Sequence, residues 1–205
     1  MTTDRILREE KIPFKTSDEW DLVRIIVKLL SYRDPNFLLK EFVDNAFDAF
    51  SKRQHPSSYP KQIRVTIWTK DERYPHIAVF DNGSGWKPHG GVDNPKKGMP
   101  DFEYTVTHIG NSVKSAHALG SDELRNGGLR HRNAVGLFSF WRLGERLTVY
   151  SRSTLENGQI SPCSMMTWLK EARYAKIVHD VEAPTELSNK AGSLVVIARA
   201  LNQIQ

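Results

Sequence analysis

The pattern of hydrophobic and polar positions predicts an α-helix over residues 37–53. Read at about 100° per residue, this segment divides into two arcs. The apolar arc holds Leu39, Phe42, Val43, Ala46, Phe47, Ala49 and Phe50, and the polar arc holds Glu41, Asp44, Asn45 and Asp48. We expect the apolar arc to face the core. The polar arc is either an ordinary solvated face or a cation site, because three close carboxylates repel one another and a cation would relieve that repulsion.

Similar patterns predict the other elements. A capping box at Thr16-x-x-Glu19, followed by apolar residues at helical spacing, predicts a helix over about 16–32. Strict alternation predicts a strand over 63–69, and the apolar run that follows predicts its antiparallel hairpin partner over 76–80. Further strands are predicted over 147–151, 165–169, 177–181 and 192–198.

Polar, glycine-rich segments separate these elements. Asp81–Trp86 continues directly from the second strand, and its two glycines allow close approach of the backbone to a ligand, although a plain turn is the alternative. Residues of about 87–132 form a loop region, within which 120–132 is either a mobile lid or disordered. The abrupt change to apolar residues over 133–141 favours a helix whose N-terminus could accept an anion.

The composition limits the class of protein. Hydrophobic residues make up 39% and charged residues 26% of the 205 residues, which is typical of a soluble globular domain. No apolar run reaches the roughly 18 residues of a membrane span, and no secretory signal is recognisable. Cys163 is the only cysteine, which excludes an intrachain disulfide and a four-cysteine zinc site. We therefore expect an intracellular, cytoplasmic protein without membrane partners.

Several motifs, in order along the chain, resemble those of the GHKL superfamily of ATP-binding domains. This superfamily has the Bergerat fold and includes gyrase B subunits, a heat-shock chaperone, mismatch-repair ATPases and histidine kinases. The chain carries Glu-x-x-x-Asn from Glu41 to Asn45 and Asp-x-Gly-x-Gly from Asp81 to Gly85. Three further similar segments are 108–115, 133–139 and 192–196. Ala134 departs from the family pattern, since a glycine is expected there.

The resemblance implies a division of labour between two elements. Glu41 would be the catalytic general base that polarises the attacking water. Asn45 would hold Mg²⁺, which bridges the phosphates. Asp48 would fix the adenine-binding loop through hydrogen bonds, and Asp81 would accept the adenine amino proton.

The same resemblance implies further ligand contacts. Gly83 and Gly85 would leave room for the base and the sugar. Lys114 would contact a phosphate, and the Ser193 hydroxyl would face the Asp81 site. The lid-to-helix segment would wrap the phosphates with Val135, Gly136, Leu137 and Phe138.

These roles predict a Mg²⁺-dependent ATP-binding domain that slowly hydrolyses ATP to ADP and phosphate. The expected fold is an α/β two-layer sandwich (α+β), with a mixed, largely antiparallel sheet and helices packed on one face. It would be a single domain over residues 1–205 with an N-terminal arm over about 1–16. Nucleotide would close the lid and drive a conformational change or homodimerisation of a larger protein with a C-terminal transducer or effector domain.

Two other functions stay open. Ala134 and the lack of a transducer lysine within the chain motivate a nucleotide sensor or interaction module that binds ATP but barely hydrolyses it. Arg125, Arg130 and Arg132, with the Lys96–Lys97 pair, motivate a nucleic-acid-binding module with a degenerate pocket. The latter is the weaker hypothesis, because such loops are usually only solvated and the net charge of +5 is modest.

Overall fold

The computed structural model describes residues 9–13, 35–51, 60–69, 75–88, 98–107 and 136–198. Over these ranges the chain is α+β and rich in strand. The helices are α1 (Pro35–Ser51), α2 (Asp101–Thr107) and α3 (Phe140–Leu143), with 3-10 turns at Gly136–Ser139 and Thr185–Leu187. The strands are β1 (Glu9–Pro13), β2 (Ile63–Thr69), β3 (Pro75–Asp81), β4 (Arg146–Arg152), β5 (Cys163–Leu169), β6 (Tyr174–Val181) and β7 (Gly192–Ala198).

The seven strands form one sheet in the order β1-β6-β5-β4-β7-β3-β2. Every pairing between described strands is antiparallel. The largely antiparallel sheet is therefore confirmed, and no parallel pair that would make it mixed occurs among these strands. β7, the last described strand along the chain, lies between β3 and β4, so it joins strands that are far apart in the sequence into one open sheet.

The strands predicted from sequence are all present. β2 and β3 form the predicted hairpin, with Ile67 opposite Ile77 and Val65 opposite Val79. The two strands that the pattern supports less strongly, 165–169 and 177–181, lie within β5 and β6. These segments are strands because their alternate side chains reach a common core, which favours the period of two.

The main core lies between one face of the sheet and the described helices. Ile77, Val79, Leu147 and Val149 point to this face and pack with Leu38, Phe42 and Ala46 of α1, Phe102 and Val106 of α2, and Phe140 and Leu143 of α3. The opposite face carries a smaller cluster around Phe80 and Leu194. We call the first face the helix face and the second the back face.

Two elements are not predicted by the sequence pattern. β1 lies within the predicted N-terminal arm; it pairs with β6, its side chains alternate between exposed and partly buried, and Ile12 packs against the main core. α2 buries Phe102, Tyr104 and Val106, an alternation that resembles a strand, yet the segment is helical. Its start is fixed by Asp101, whose carboxylate accepts a hydrogen bond from the Lys87 N–H at 2.8 Å.

Some predictions lie outside the described residues. These are the helix over 16–32, the segment 108–115, and the lid over 120–132. Among the described helices, none is long and apolar enough to cross a membrane.

Candidate functional site

α1 buries the acidic residues that its sequence places on the polar arc. Glu41 is 5%, Asp44 2% and Asp48 2% exposed, as little as the core residues of the same helix. The polar arc is therefore not a solvated face. Burying an ionised carboxylate is costly unless other groups compensate, and each of the three has interaction partners.

The exposed side of α1 differs from the predicted one. Phe47, which the pattern places on the core-facing arc, is 50% exposed, so that part of the prediction is wrong. The reason is tertiary, because α1 contacts β2, β3, β7, α3 and the 3-10 turn at Gly136–Ser139. The buried arc of α1 therefore includes Glu41, Asp44 and Asp48 and excludes Phe47.

Asn45 occupies a distinct position on α1. On a helical wheel it lies, with Ala49, between Glu41 and Phe42, which are both buried. Asn45 and Ala49 are nevertheless only half-buried. Asn45 is thus the most accessible residue of the polar arc.

Asp44 is covered by a neighbour on its own helix. Lys40 lies one turn earlier and forms an ion pair with the Asp44 carboxylate. The Lys40 side chain is 57% exposed and that of Asp44 3%, so the lysine covers the buried acid from the solvent side. This ion pair is one interaction that offsets the burial of the Asp44 carboxylate.

The Asp81–Gly85 loop lies directly against the C-terminal half of α1. The Ser84 N–H donates to the Ala49 carbonyl oxygen at 3.1 Å. A Cβ atom at Gly83 would lie 2.5 Å from the Ala49 Cβ and 2.9 Å from the Ala49 carbonyl carbon and oxygen. Only glycine permits this approach. Packing against α1 therefore accounts for Gly83, which the sequence analysis connects with space for a nucleotide.

Gly85 is fixed on the other side of the loop. Its φ is +64°, in the left-handed region that glycine adopts readily, and a Cβ there would overlap the Arg152 carbonyl oxygen of β4. The next residue is held by Ser151, whose Oγ accepts from the Trp86 N–H at 2.8 Å and donates to the Gly192 carbonyl oxygen at 3.0 Å. The loop is thus clamped between α1 and the ends of β4 and β7.

Asp81 ends β3 on the helix face, in line with Ile77 and Val79. Its side chain is oriented from within the loop, since Oδ1 accepts the Gly83 N–H at 2.8 Å and the residue is 5% exposed. This bond fixes the orientation of the carboxylate relative to the loop backbone.

Asn82, next in the chain, has a structural role. Its Oδ1 accepts from the Gln62 N–H at 2.7 Å and its Nδ2 donates to the Pro60 carbonyl oxygen at 2.9 Å. These bonds tie the loop to the segment that precedes β2.

A row of buried polar residues crosses the end of the sheet. Asp81 pairs with Ser193 of β7, and Ser193 pairs with Ser151 of β4. Directly opposed residues of antiparallel strands point to the same face, so all three belong to the helix face. Ser193 is 4% and Ser151 2% exposed. The structure thus places Ser193 beside Asp81, and it adds Ser151, which the sequence analysis does not single out. The sequence signal for Ser151 was the alternation Leu147, Val149, Ser151, in which the third inward-facing residue of the strand is polar.

The lid-to-helix segment is described from Gly136 onward. Gly136–Ser139 is a 3-10 turn that contacts α1 and leads into the four-residue α3, so the first described part of the predicted helix is wound as a 3-10 turn. Leu137 is 8% exposed and packs into the main core. The backbone of Phe138 lies in the same turn, whereas Lys114 and Val135 lie outside the described residues.

The structure therefore brings α1, the Asp81–Gly85 loop and the Ser193 end of β7 together on the helix face. By the rise of 1.5 Å per residue, Glu41 lies about 10 Å along α1 from Asp48. No protein-family model matches the sequence, and no curated protein matches it either. The resemblance to the GHKL superfamily accordingly stays a hypothesis that rests on the motifs.

Proposed function

We propose that this chain binds ATP with Mg²⁺ and hydrolyses it slowly, at the site where α1 meets the Asp81–Gly85 loop. The observation that supports this most is the direct contact of Gly83 and Ser84 with Ala49. Through this contact the carboxylate at the end of β3 lies beside a helix that buries Glu41 and Asp48. Buried carboxylates on two neighbouring elements are candidates for acid, base or ligand roles at a functional site.

Asp81 would select the base. Its carboxylate is an acceptor held in place by the Gly83 N–H, and the exocyclic amino group of adenine is a donor. Guanine presents a carbonyl oxygen at that position, which an acceptor repels. With the base at Asp81, the phosphates of an elongated nucleotide would extend along α1 toward Asn45 and Glu41.

Asn45 and Glu41 would act on the phosphates. Among the described residues, no three His, Cys, Asp or Glu side chains are grouped to hold a metal ion. Mg²⁺ usually takes one or two protein ligands and completes its shell with water and phosphate, so the half-buried amide of Asn45 fits as a single ligand. When bound, Mg²⁺ neutralises charge on the phosphates. Glu41 would take a proton from the water that attacks the γ-phosphorus, while the bond to the bridging oxygen breaks.

The finer fold and the wider role belong to the same proposal. The helices on the helix face would form the second layer of a Bergerat-type α/β two-layer sandwich, with a lid over 120–132. Nucleotide would then change the conformation of a larger protein, through a transducer domain or a nucleotide-dependent homodimer.

Calorimetric titration with ATP and Mg²⁺ tests the binding step. Asp81→Asn keeps an oxygen for the Gly83 N–H but turns an amino group toward the base, so we expect ATP affinity to fall about 10-fold to 100-fold. Asp180→Asn is the matched control, because Asp180 is exposed and asparagine tolerates its φ of +58°. A folded chain that binds ATP no more tightly than about 1 mM would refute the proposal.

Single-turnover phosphate release tests the hydrolytic step. Glu41→Gln should retain ATP affinity and lose phosphate release, since the amide cannot accept the proton from water. Equal release by Glu41→Gln would remove Glu41 from its role. Firm binding with negligible release by the unmodified chain would instead identify a nucleotide sensor.

A further inference from the structure

β2 is the outermost described strand next to β3, and the side chains in its middle are exposed on both faces. The consecutive residues Arg64, Val65, Thr66 and Ile67 are all exposed. Two of them are apolar, with Val65 41% and Ile67 53% exposed. Native sheets usually blunt such an edge with proline, a bulge or several charges. β2 has no proline, its pairing with β3 is regular, and Arg64 is its only charged residue.

The hydrogen-bond pattern shows which backbone groups of β2 point outward. The Asn82 N–H donates to the Gln62 carbonyl oxygen at 3.2 Å, so Gln62 and Asn82 form a hydrogen-bonded pair. Hydrogen-bonded and non-hydrogen-bonded pairs alternate along an antiparallel ladder. Ile63, Val65 and Ile67 are therefore in non-hydrogen-bonded pairs with β3, and their N–H and C=O groups point to the outer edge.

A groove of about 230 Å³ lies on the back face immediately beside this edge. The alternate β2 side chains Arg64, Thr66 and Trp68 line it, together with Phe80 and Glu186. The groove lies across the sheet from α1 and the Asp81 site. A strand added to β2 would direct every second side chain toward this groove, and the remaining side chains toward Val65 and Ile67.

The charge at the groove favours an acidic ligand. The Phe80 ring has two cations above it, with Lys190 Nζ at 4.8 Å and the Arg64 guanidinium carbon at 5.4 Å from its centroid. Arg64 Nη2 donates to Glu186 Oε1 at 3.1 Å, an exposed ion pair of a kind that is weak. A guanidinium has five donors, so Arg64 can bind a second carboxylate while it keeps Glu186. Two cations and one carboxylate give a net charge of +1 around the Phe80 ring, beside the groove.

We propose that β2 binds an extended acidic segment of a partner protein as an additional strand of the sheet. Backbone hydrogen bonds would form with Ile63, Val65 and Ile67. Acidic side chains of the segment would lie toward Arg64 and the groove, and aliphatic ones would cover the exposed apolar residues of the helix face. This is recognition by β-augmentation, in which the backbone supplies affinity and alternate side chains supply specificity. A second copy of this chain is disfavoured as the occupant, because its own β2 is basic.

Fluorescence anisotropy with the full chain tests this inference. The probe is a labelled peptide of about ten residues in which glutamate alternates with valine, and the comparison peptide has lysine in place of glutamate. We expect saturable binding of the glutamate peptide alone. Val65→Pro removes an outward N–H without removing a bond to β3, and should weaken binding about tenfold or more. Arg64→Glu should have a similar effect, whereas Arg173→Glu, at an exposed position with the same charge change, should have none.

Ile67→Asp tests the edge without removing any N–H, and should also weaken binding about tenfold. If Val65→Pro does not fold, Ile67→Asp serves as the test of binding at the β2 edge. The inference is overturned if the glutamate peptide does not bind below about 1 mM, or if it binds the edge variants and the unmodified chain equally. A dimer in sedimentation that Val65→Pro dissociates would identify a second copy as the occupant, and would overturn the acidic segment. ATP titration of the same variants should be unchanged, since β2 lies outside the proposed nucleotide site.

Discussion

Replacing Gly83 with alanine is the most direct test of how the candidate site is assembled. The new Cβ would lie 2.5 Å from the Ala49 Cβ and 2.9 Å from the Ala49 carbonyl carbon and oxygen. These atoms belong to the body of α1, so no flexible side chain can move away. Gly83 is not among the described residues with positive φ, and backbone strain therefore adds nothing to the effect. The loop must separate from the helix.

The expected cost follows from two contributions. Overpacking of this kind costs about 1–3 kcal/mol. Separation of the loop also breaks the bond from the Ser84 N–H to the Ala49 carbonyl, which adds about 0.5–1.5 kcal/mol. We therefore expect Gly83→Ala to lower the free energy of unfolding by about 2–4 kcal/mol. ATP affinity should fall with it, because Asp81 belongs to the displaced loop.

Urea denaturation followed by tryptophan fluorescence measures the change. Ala49→Gly removes one of the clashing atoms, so the double variant should be more stable than the sum of the single changes predicts, by about 0.5 kcal/mol or more. Gly158→Ala is the control: Gly158 has φ of +80° and no neighbour within 4 Å of its added Cβ, so its cost should be additive with Ala49→Gly. The reasoning is refuted if Gly83→Ala changes stability by less than about 0.5 kcal/mol, or if it is additive with Ala49→Gly.

Three further outcomes follow from described contacts. Phe42→Ala should lower the free energy of unfolding by about 3–5 kcal/mol, because Phe42 is 2% exposed, and Phe47→Ala by about 1 kcal/mol or less, because Phe47 is 50% exposed. Arg152→Ala should cost about 2–4 kcal/mol in urea denaturation, since its guanidinium donates to the carbonyl oxygens of Ser161, Leu187 and Ser188. Burial raises the pKa of the Cys163 thiol, against the opposing Arg152 charge, so a thiol reagent should label the folded chain much more slowly than the denatured chain at mildly alkaline pH.

Each of these outcomes has a result that contradicts it. Equal costs for the two phenylalanine variants would mean that α1 is rotated from its described position. Arg146 lies at the exposed start of the same strand, so Arg146→Ala should leave the free energy of unfolding nearly unchanged. An equal loss of stability in both arginine variants would show that the hydrogen bonds of Arg152 do not stabilise the fold. The raised thiol pKa means that Cys163 stays protonated to higher pH in the folded chain, so its contribution to stability is lost as pH rises. Rapid labelling of the folded chain at mildly alkaline pH would instead show that the Cys163 thiol is accessible.

The acidic residues of α1 show which property of the site the sequence predicts and which it does not. Their spacing predicts that Glu41, Asp44 and Asp48 share one side of a helix, and that is a local property of 3.6 residues per turn. Whether that side is solvated depends on what packs against it. Elements from distant parts of the chain, among them β7 and the 3-10 turn at Gly136–Ser139, contact α1, and in this packing the acidic residues are buried while Phe47 is exposed.

The amino-acid sequence by itself determined α1, the β2–β3 hairpin and the later strands, because each of these segments is long enough to show a helical or strand period in its own residues. It also placed a glycine-containing loop at the end of β3. It could not predict β1 or α2, whose patterns are weak or misleading. Only the tertiary structure decided that Gly83 packs on Ala49, that Ser151 lies in line with Ser193 and Asp81, and that the acids of α1 are buried. These facts depend on pairings between residues far apart in the chain, and no local pattern records which distant backbone will fill the space beside a given residue.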